Sequence, residues 1–316
     1  MGTQVLVTGG AGFIGSSIVR ALVKRGDRVR VLDNLSTGRR QNLGEVAADV
    51  ELVEGDIRDE GLLGRVLAGT ELVFHEAAIA SVPRSLAEPI ENHAVNATGT
   101  LQVLGAAQRA GVRRLVYAAS SSAYGDSPVS PKVETMAPAP MSPYAISKLA
   151  GEHYCQAYAG AYGLETVCLR YFNIFGPRQD PKSEYAAVIP LFVTAALAGR
   201  GVTIYGDGTQ SRDFCHVDNV VEANLRAASA PKEAASGRVF NIGCGASITL
   251  NDLVRIIGAS LGRTVAATHA PPRAGDVKHS AADISAARAR LDYQPRVMLE
   301  SGLQSTIAWY QQPGRV

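Results

Sequence analysis

The chain has 316 residues, 46% of them hydrophobic and 19% charged, a balance that excludes a disordered or membrane protein and fits one large or two modest domains. The formal net charge is +2 and the basic residues form no runs, which excludes the electrostatic footprint of a nucleic-acid binder. Cys155, Cys168, Cys215 and Cys244 are widely spaced with no CxxC pair, against both a zinc site and a disulfide framework. The histidines form no HxxxH or HxH pair, so no metal is expected. The first apolar run, residues 5–7, goes straight into glycines, and no apolar stretch reaches about 18 residues. An unexported, cytoplasmic chain with no membrane partner is the expectation.

QVLVTG reads as the first strand and IGSSIVRALVKRG as the helix after it. RVRVLD is a second strand, VELVEGD a third followed by the helical EGLLGRVLAG, and ELVFHEAA a fourth followed by a long helical stretch at 88–110. RRLVYAAS is the fifth strand, and a helix over 144–162 followed by ETVCLRYFN completes the series. Short apolar strands without strict alternation, separated by helix-period segments, indicate a parallel sheet covered on both faces. The expected fold class is α/β, a Rossmann-type doubly wound parallel sheet.

Past Asn173 the rhythm breaks at Pro177, Pro181 and Pro190. Shorter pieces follow: strands at 202–205 and 239–243, and helices near 217–228, 250–261, 283–291 and 299–310. They predict a smaller, mixed C-terminal domain interleaved with the first. The division expected is 1–178 plus about 213–243 for the cofactor, and 179–212 plus 244–316 for the substrate.

Gly9, Gly12 and Gly15 in TGGAGFIG lie between the first strand and the first helix, where a helix N-terminus meets a pyrophosphate and glycines let the backbone come close. RVRVLD ends in Asp33, placed to hydrogen-bond the adenine ribose and to repel a 2′-phosphate, so NAD is favoured; Arg39 and Arg40 keep NADP open. Asp56 reads equally as a contact to the adenine amino group or as a turn-stabilising carboxylate. His75, after an apolar strand with no visible partner, reads as structural.

Tyr144 and Lys148 stand four apart in SPYAISK, with Pro143 as a helix-start signal, so both side chains share one helical face. An ammonium beside a phenol favours the phenolate and lowers a reference value of about 10 toward that of a general base. LVYAASSSAYGD puts three serines at the carboxyl end of a strand, where open α/β sheets bind ligands. One of them can cap the turn, and another is free to hydrogen-bond the oxygen that the tyrosine deprotonates.

TGGAGFIG, Asp33, S-S-S-x-Y-G and YxxxK, in this order and spacing, resemble the extended short-chain dehydrogenase/reductase family. HEAAIASVPRS, RYFNIFGPRQDP, YAAVIP, GDGTQSRDF and RAGDVKHSAADI narrow the likeness to nucleoside-diphosphate-sugar 4-epimerases, especially bacterial UDP-N-acetylglucosamine 4-epimerases, over nearly the whole chain. The resemblance implies Tyr144 as base, Lys148 on the nicotinamide ribose, and Ser120 orienting the sugar 4-hydroxyl, with Ser122 a second sugar contact. It implies an NAD site of Gly9, Gly12, Phe13, Ile14, Gly15, Asp33, Asn34, Ser36, Thr37, Gly38, Asp56, Ile57, Ala77, Ala78, Ala80, Asn96, Tyr144, Lys148 and Tyr171. Its UDP-sugar site would be Ala80, Ser81, Ser120, Ser122, Tyr144, Asn173, Ala187, Val188, Ile204, Tyr205, Arg212, Arg273, Asp276 and Ser280.

The implied reaction interconverts UDP-GlcNAc and UDP-GalNAc through a transient 4-keto sugar, with UDP-glucose and UDP-glucuronate as the alternative substrates. Ser121 and Ser122 stand where related dehydratases carry Asp-Glu, and Ser122 where decarboxylases of UDP-glucuronate often carry Glu, against both reactions. A simple dehydrogenase would leave the diphosphate arginines without a purpose. A non-catalytic NAD-sensing protein would have no need of a tuned phenol. Ala80 stands where several galactose-type epimerases carry lysine, and Ser280 where relatives limited to non-acetylated sugars carry tyrosine; with Ala187 they would leave room for an N-acetyl group. The stretches 88–110 and 144–162 resemble the helix pair of a homodimer interface, though their apolar period would look the same in a monomer's core.

Overall fold

The computed structural model describes residues 2–182, 187–272 and 277–314. Six strands alternate with helices through the first half: β1 (Gln4–Thr8), β2 (Arg28–Asp33), β3 (Val50–Glu54), β4 (Leu72–His75), β5 (Arg114–Ser120) and β6 (Glu165–Tyr171). Short pieces β7 (Ile174–Phe175), β8 (Val202–Tyr205), β9 (Ser211–Arg212) and β10 (Cys215–His216) precede β11 (Arg238–Ile242). The sheet order is β11-β6-β5-β4-β1-β2-β3, with every neighbouring pair parallel. The chain reverses direction across the sheet between β1 and β4, the place where open α/β sheets leave a crevice at their carboxyl ends.

The apolar runs do not alternate because both faces are covered: Val5, Leu6 and Val7 of β1 are all fully buried. One face packs against α1 (Phe13–Arg25) and α8 (Val217–Ser229), through Ile18, Val19, Leu22, Val220 and Ala223. The other packs against α2 (Glu60–Val66), α5 (Gly99–Arg109) and α6 (Pro143–Tyr162), through Leu63, Val103, Leu104 and Cys155. Between α2 and α5 come α3 (Val82–Ala87), α4 (Pro89–His93) and a π-helical turn at Ala94–Thr98 that interrupts the stretch expected as one helix.

A third core cluster joins α7 (Val188–Leu197), β8, α10 (Leu250–Ser260) and α12 (Leu299–Tyr310) through Ile189, Val193, Ile204, Leu253, Leu303 and Ile307. Between α8 and α12 lie α9 (Lys232–Ala235), β12 (Ile248–Thr249), β13 (Ala267–Ala270), β14 (His279–Ser280) and α11 (Ser285–Leu291). β9 pairs antiparallel with β12 and parallel with β14, and β8 pairs with β13. Ala282, Ile284, Ala287, Leu291 and Tyr293 pack into the core of the large sheet, so part of the 244–316 segment serves that sheet.

Two helix starts position the site. α1 opens at Gly12 with no side-chain cap and closes on Gly26, whose φ of 87° takes up the last carbonyls of Leu22 and Val23. α6 opens on Ser142, whose hydroxyl accepts from the Ala145 amide, with Pro143 at the first helical position. Tyr144 and Lys148 therefore stand in the first two turns of a helix whose start is fixed.

Candidate active site

The glycine loop fits a pyrophosphate by exclusion of side chains. Gly9 has φ +67°, and a Cβ there would lie 2.7 Å from the Ala77 amide nitrogen; a Cβ on Gly15 would lie 2.2 Å from the Gly9 carbonyl oxygen. The first turn of α1, with Phe13 and Ile14, carries no acidic residue, so an anion meets backbone N–H groups and the positive end of the helix.

Asp33 ends β2 with its Oδ2 accepting from Ala11 N at 2.9 Å and its Oδ1 from Leu35 N at 2.8 Å. Burial pushes its carboxyl above the usual range, and the two amides oppose that. A Cβ on Gly38 would lie 2.8 Å from both carboxylate oxygens, so the loop carrying exposed Asn34, Ser36 and Thr37 closes tightly on Asp33. Arg39 and Arg40, which keep a 2′-phosphate open in the sequence, are paired with Asp180 and Glu54.

Asp56 accepts from Arg58 N at 2.9 Å, from Arg58 Nη2 at 2.8 Å and from Asn34 Nδ2 at 3.3 Å. Arg58 holds its carboxyl below the usual range, so the turn-stabilising role is the one on display. Ile57 is buried and lies where a Cβ on Gly99 would meet it. Asn96 is buried and its amide is fully engaged, with Ile79 N at 2.8 Å, Ile79 O at 3.1 Å and Ser147 Oγ at 3.2 Å. It shapes the half-buried loop of Ala77 and Ala78 and the exposed Ala80 from behind.

His75 is buried between Thr8 Oγ1 at 2.7 Å and Thr100 Oγ1 at 2.9 Å. Thr100 gives its own proton to Asn96 O, so the ring carries its proton on Nε2 and accepts from Thr8 on Nδ1. Burial pulls it down to about 3 and keeps it neutral, the structural reading of the sequence.

The strand end and α6 converge at the reacting centre. Ser122 donates to Ser120 Oγ from its hydroxyl at 2.8 Å and from its amide at 3.2 Å. That leaves the Ser120 proton unspent by Ser122, and the Ser120 hydroxyl lowers the Tyr144 phenol. Lys148 is 4% exposed, and its Nζ lies 4.6 Å from the centre of the Tyr117 ring. Burial pushes Tyr144 up while Ser120 opposes it, and burial pulls Lys148 down to about 8.

Across the crevice, Asn173 holds φ +37° and donates from Nδ2 to Asp213 O at 3.1 Å. Arg212 on β9 donates to Ser211 O at 2.9 Å and Lys278 O at 3.2 Å, and stands opposite Ser280 of β14. Ala187 precedes α7 and is exposed, Val188 opens that helix half-buried, and Tyr205 is on the surface. Ile204 is buried in the third cluster, away from the surface. Ser81 caps α3 by accepting from Arg84 N at 3.2 Å. Arg273 and Asp276 lie outside the described residues.

Two positions carry more than the sequence suggested. Asp213 is buried, accepts from Cys244 N at 2.8 Å, Gly245 N at 3.0 Å and Ala282 N at 3.2 Å, and donates its own amide to Ser280 O at 2.8 Å. Burial pushes its carboxyl up to about 6. The other is Glu76, the variable residue of H-x-A-A: the Tyr171 hydroxyl donates to its Oε1 at 2.9 Å. An acid closing an apolar parallel strand was the available signal for it.

The fold and the serine, tyrosine and lysine gathered at its carboxyl edge define a dinucleotide-binding α/β protein of the extended short-chain dehydrogenase/reductase class. Residues 5–243 match the NAD dependent epimerase/dehydratase family. The chain belongs to that family, and its cofactor is NAD. It is 40% identical to a UDP-glucose 4-epimerase of Mycolicibacterium smegmatis over 97% of this chain and 98% of that one. A UDP-N-acetylglucosamine 4-epimerase from Methanobrevibacter ruminantium, solved with UDP-N-acetylmuramic acid, superposes with TM-score 0.93 at 39% identity, covering 98% of each chain. A UDP-glucose 4-epimerase from Thermotoga maritima, solved with UDP-glucose, also gives TM-score 0.93, at 40% identity over 98% of this chain and 99% of that one.

Proposed function

We propose that the chain is a UDP-sugar 4-epimerase that interconverts UDP-GlcNAc and UDP-GalNAc, and with them UDP-glucose and UDP-galactose. The observation that carries this reading is that Ser120 closes β5 at the carboxyl edge of the sheet, held by Ser122, while Tyr144 and the buried Lys148 stand four apart in the first two turns of α6. Bound NAD would supply the acceptor, and then the donor, of the hydrogen at sugar C4. Tyr144 would take the 4-hydroxyl proton and return it to the other face, Ser120 would orient that oxygen, and Lys148 would favour the phenolate. Arg212, with Arg273, would hold the diphosphate while the keto sugar turns about that tether.

The serines support epimerisation over elimination of water. Ser122 is bonded to Ser120, and neither Ser121 nor Ser122 offers the carboxyl that a dehydratase needs beside its catalytic hydroxyl. Ser280, beside Arg212 in the small sheet, supports the acetylated substrate because a serine leaves space that a tyrosine would fill. Likeness to proteins named for each sugar supports both substrate pairs.

A homodimer through the α3–α4 and α6 faces belongs to the same proposal. Leu86, Ile90, Ile146 and Tyr154 are exposed there, an apolar surface that a second copy would cover. The test of the substrate reading is a side-by-side assay of the acetylated and non-acetylated UDP-sugars with chromatography of the products. Comparable turnover, or preference for the acetylated pair, supports it; activity on UDP-glucose alone contradicts it.

A further inference from the structure

Asp213 lies between β9 and β10, and its backbone and side chain reach three other segments of the chain. Its Oδ1 accepts from Cys244 N at 2.8 Å, and its Oδ2 from Gly245 N at 3.0 Å and Ala282 N at 3.2 Å. Its amide donates to Ser280 O at 2.8 Å, and its carbonyl oxygen accepts from Asn173 Nδ2 at 3.1 Å. Cys244 and Gly245 follow β11 and Asn173 follows β6, so these partners stand at the carboxyl end of the large sheet. Arg212 of β9 and Ser280 of β14 belong to the small sheet, where they stand opposite each other. The two sheets are tied at Asp213.

The tie needs a carboxylate. Three N–H donors converge on two oxygens, whereas an amide side chain offers one acceptor oxygen, so with asparagine at least one donor would face an NH2 group. Burial pushes the carboxyl up to about 6, still ionised at neutral pH, and the three backbone amides oppose burial. The fit is close, since a Cβ on Gly243 would lie 2.7 Å from Asp213 Oδ2. The opposite edge of the 280–283 segment is held by Lys132, whose amide donates to Ala281 O at 2.8 Å and whose carbonyl oxygen accepts from Asp283 N at 2.9 Å. Ser280 therefore sits in a segment fixed from both edges, with Asp213 as the link to Arg212.

We infer that Asp213 is a positioning residue of the UDP-sugar site: its carboxylate ties β9 and β14, and with them Arg212 and Ser280, to the carboxyl end of the large sheet. This rests on the reading of Arg212 and Ser280 as substrate contacts. Asp213 is fully buried, so it acts through those two residues.

The test titrates NAD-loaded protein with UDP by calorimetry and measures turnover of UDP-GlcNAc alongside. Asp213→Asn keeps the size of the side chain and loses one acceptor. A looser tie lowers the fraction of molecules with Arg212 and Ser280 in place, so the UDP Kd and the KM are expected to rise on the order of tenfold, with kcat and NAD content near those of wild type. A UDP Kd equal to that of wild type, a fall in kcat at unchanged KM, or a loss of NAD overturns the inference. Gly243→Ala, which crowds the same carboxylate, is expected to give the same pattern and decides the matter should Asp213→Asn not fold; an unchanged UDP Kd there overturns the inference. A wild type that binds no UDP counts against the proposed function instead, and hydrogen–deuterium exchange then tests the tie without ligand. Asp213→Asn is expected to exchange faster around β9 and β14 and at the wild-type rate in β1 to β5. Wild-type rates at β9 and β14, or faster exchange throughout, overturn the inference.

Discussion

Ser120 receives two hydrogen bonds from Ser122 and has one proton left, and its hydroxyl lowers the Tyr144 phenol against the push of burial. The direction follows from donor counting: an oxygen that already accepts twice has its own proton to give. That proton stabilises the phenolate, the form a base must reach.

Tyr144→Phe is expected to lower kcat by about 10²-fold or more, the usual worth of a positioned acid–base group. Ser120→Ala should lose activity on the same scale, and Ser122→Ala less, because Ser122 acts through Ser120. NAD content, measured after denaturation, should be unchanged in Ser122→Ala. A Ser122→Ala loss as large as that of Ser120→Ala would contradict the order of the chain.

Gly9→Ala combines a strained backbone with a collision. Its φ of +67° disfavours any side chain, and the new Cβ would lie 2.7 Å from Ala77 N. A cost of roughly 1–3 kcal/mol is expected, read as a lower thermal midpoint, together with a loss of NAD from the purified protein.

Much of this was open to reading from the sequence. Unbroken apolar runs such as VLV marked strands covered on both faces, and the spacing of Tyr144 and Lys148 marked one helical face. Asn96 was different: its side chain is consumed by Ile79 and Ser147, partners 17 and 51 residues away that no local pattern reveals. The π turn at Ala94–Thr98 escaped for a related reason, since its apolar spacing is close to that of an α-helix. Ala282 to Tyr293 read as part of the second domain because sequence distance says nothing about which core a late segment fills. Glu76 went unremarked because its partner Tyr171, 95 residues away, is brought to it by β6.

Acid should weaken the fold through His75. Its folded value of about 3 lies below the unfolded 6.5, so the unfolded chain binds the extra proton and stability falls as pH drops from 6.5 toward 3. Asp213 and Glu76, raised by burial, act in the opposite sense, so the term is isolated by comparison with His75→Asn. The advantage of wild type over that variant in urea unfolding should shrink by roughly 2–3 kcal/mol between pH 7 and 4.5. An advantage that stays constant would mean that His75 is protonated in the fold.

Ser280→Tyr should abolish turnover of UDP-GlcNAc and spare UDP-glucose, since a tyrosine on β14 beside Arg212 would fill the space proposed for the acetyl group. Competition assays with both sugars measure the change. Retained activity on the acetylated sugar would place the pocket wall elsewhere.

The central claim is oxidation and return at one carbon, with NAD neither consumed nor released. UDP-GlcNAc carrying deuterium at C4 is incubated with the NAD-loaded protein, no NAD is added, and the product is examined by mass spectrometry and proton NMR. The account predicts UDP-GalNAc with the deuterium still at C4. A product that has exchanged this deuterium for solvent hydrogen, an accumulating oxidised sugar, or no epimer of either UDP-sugar pair would contradict it.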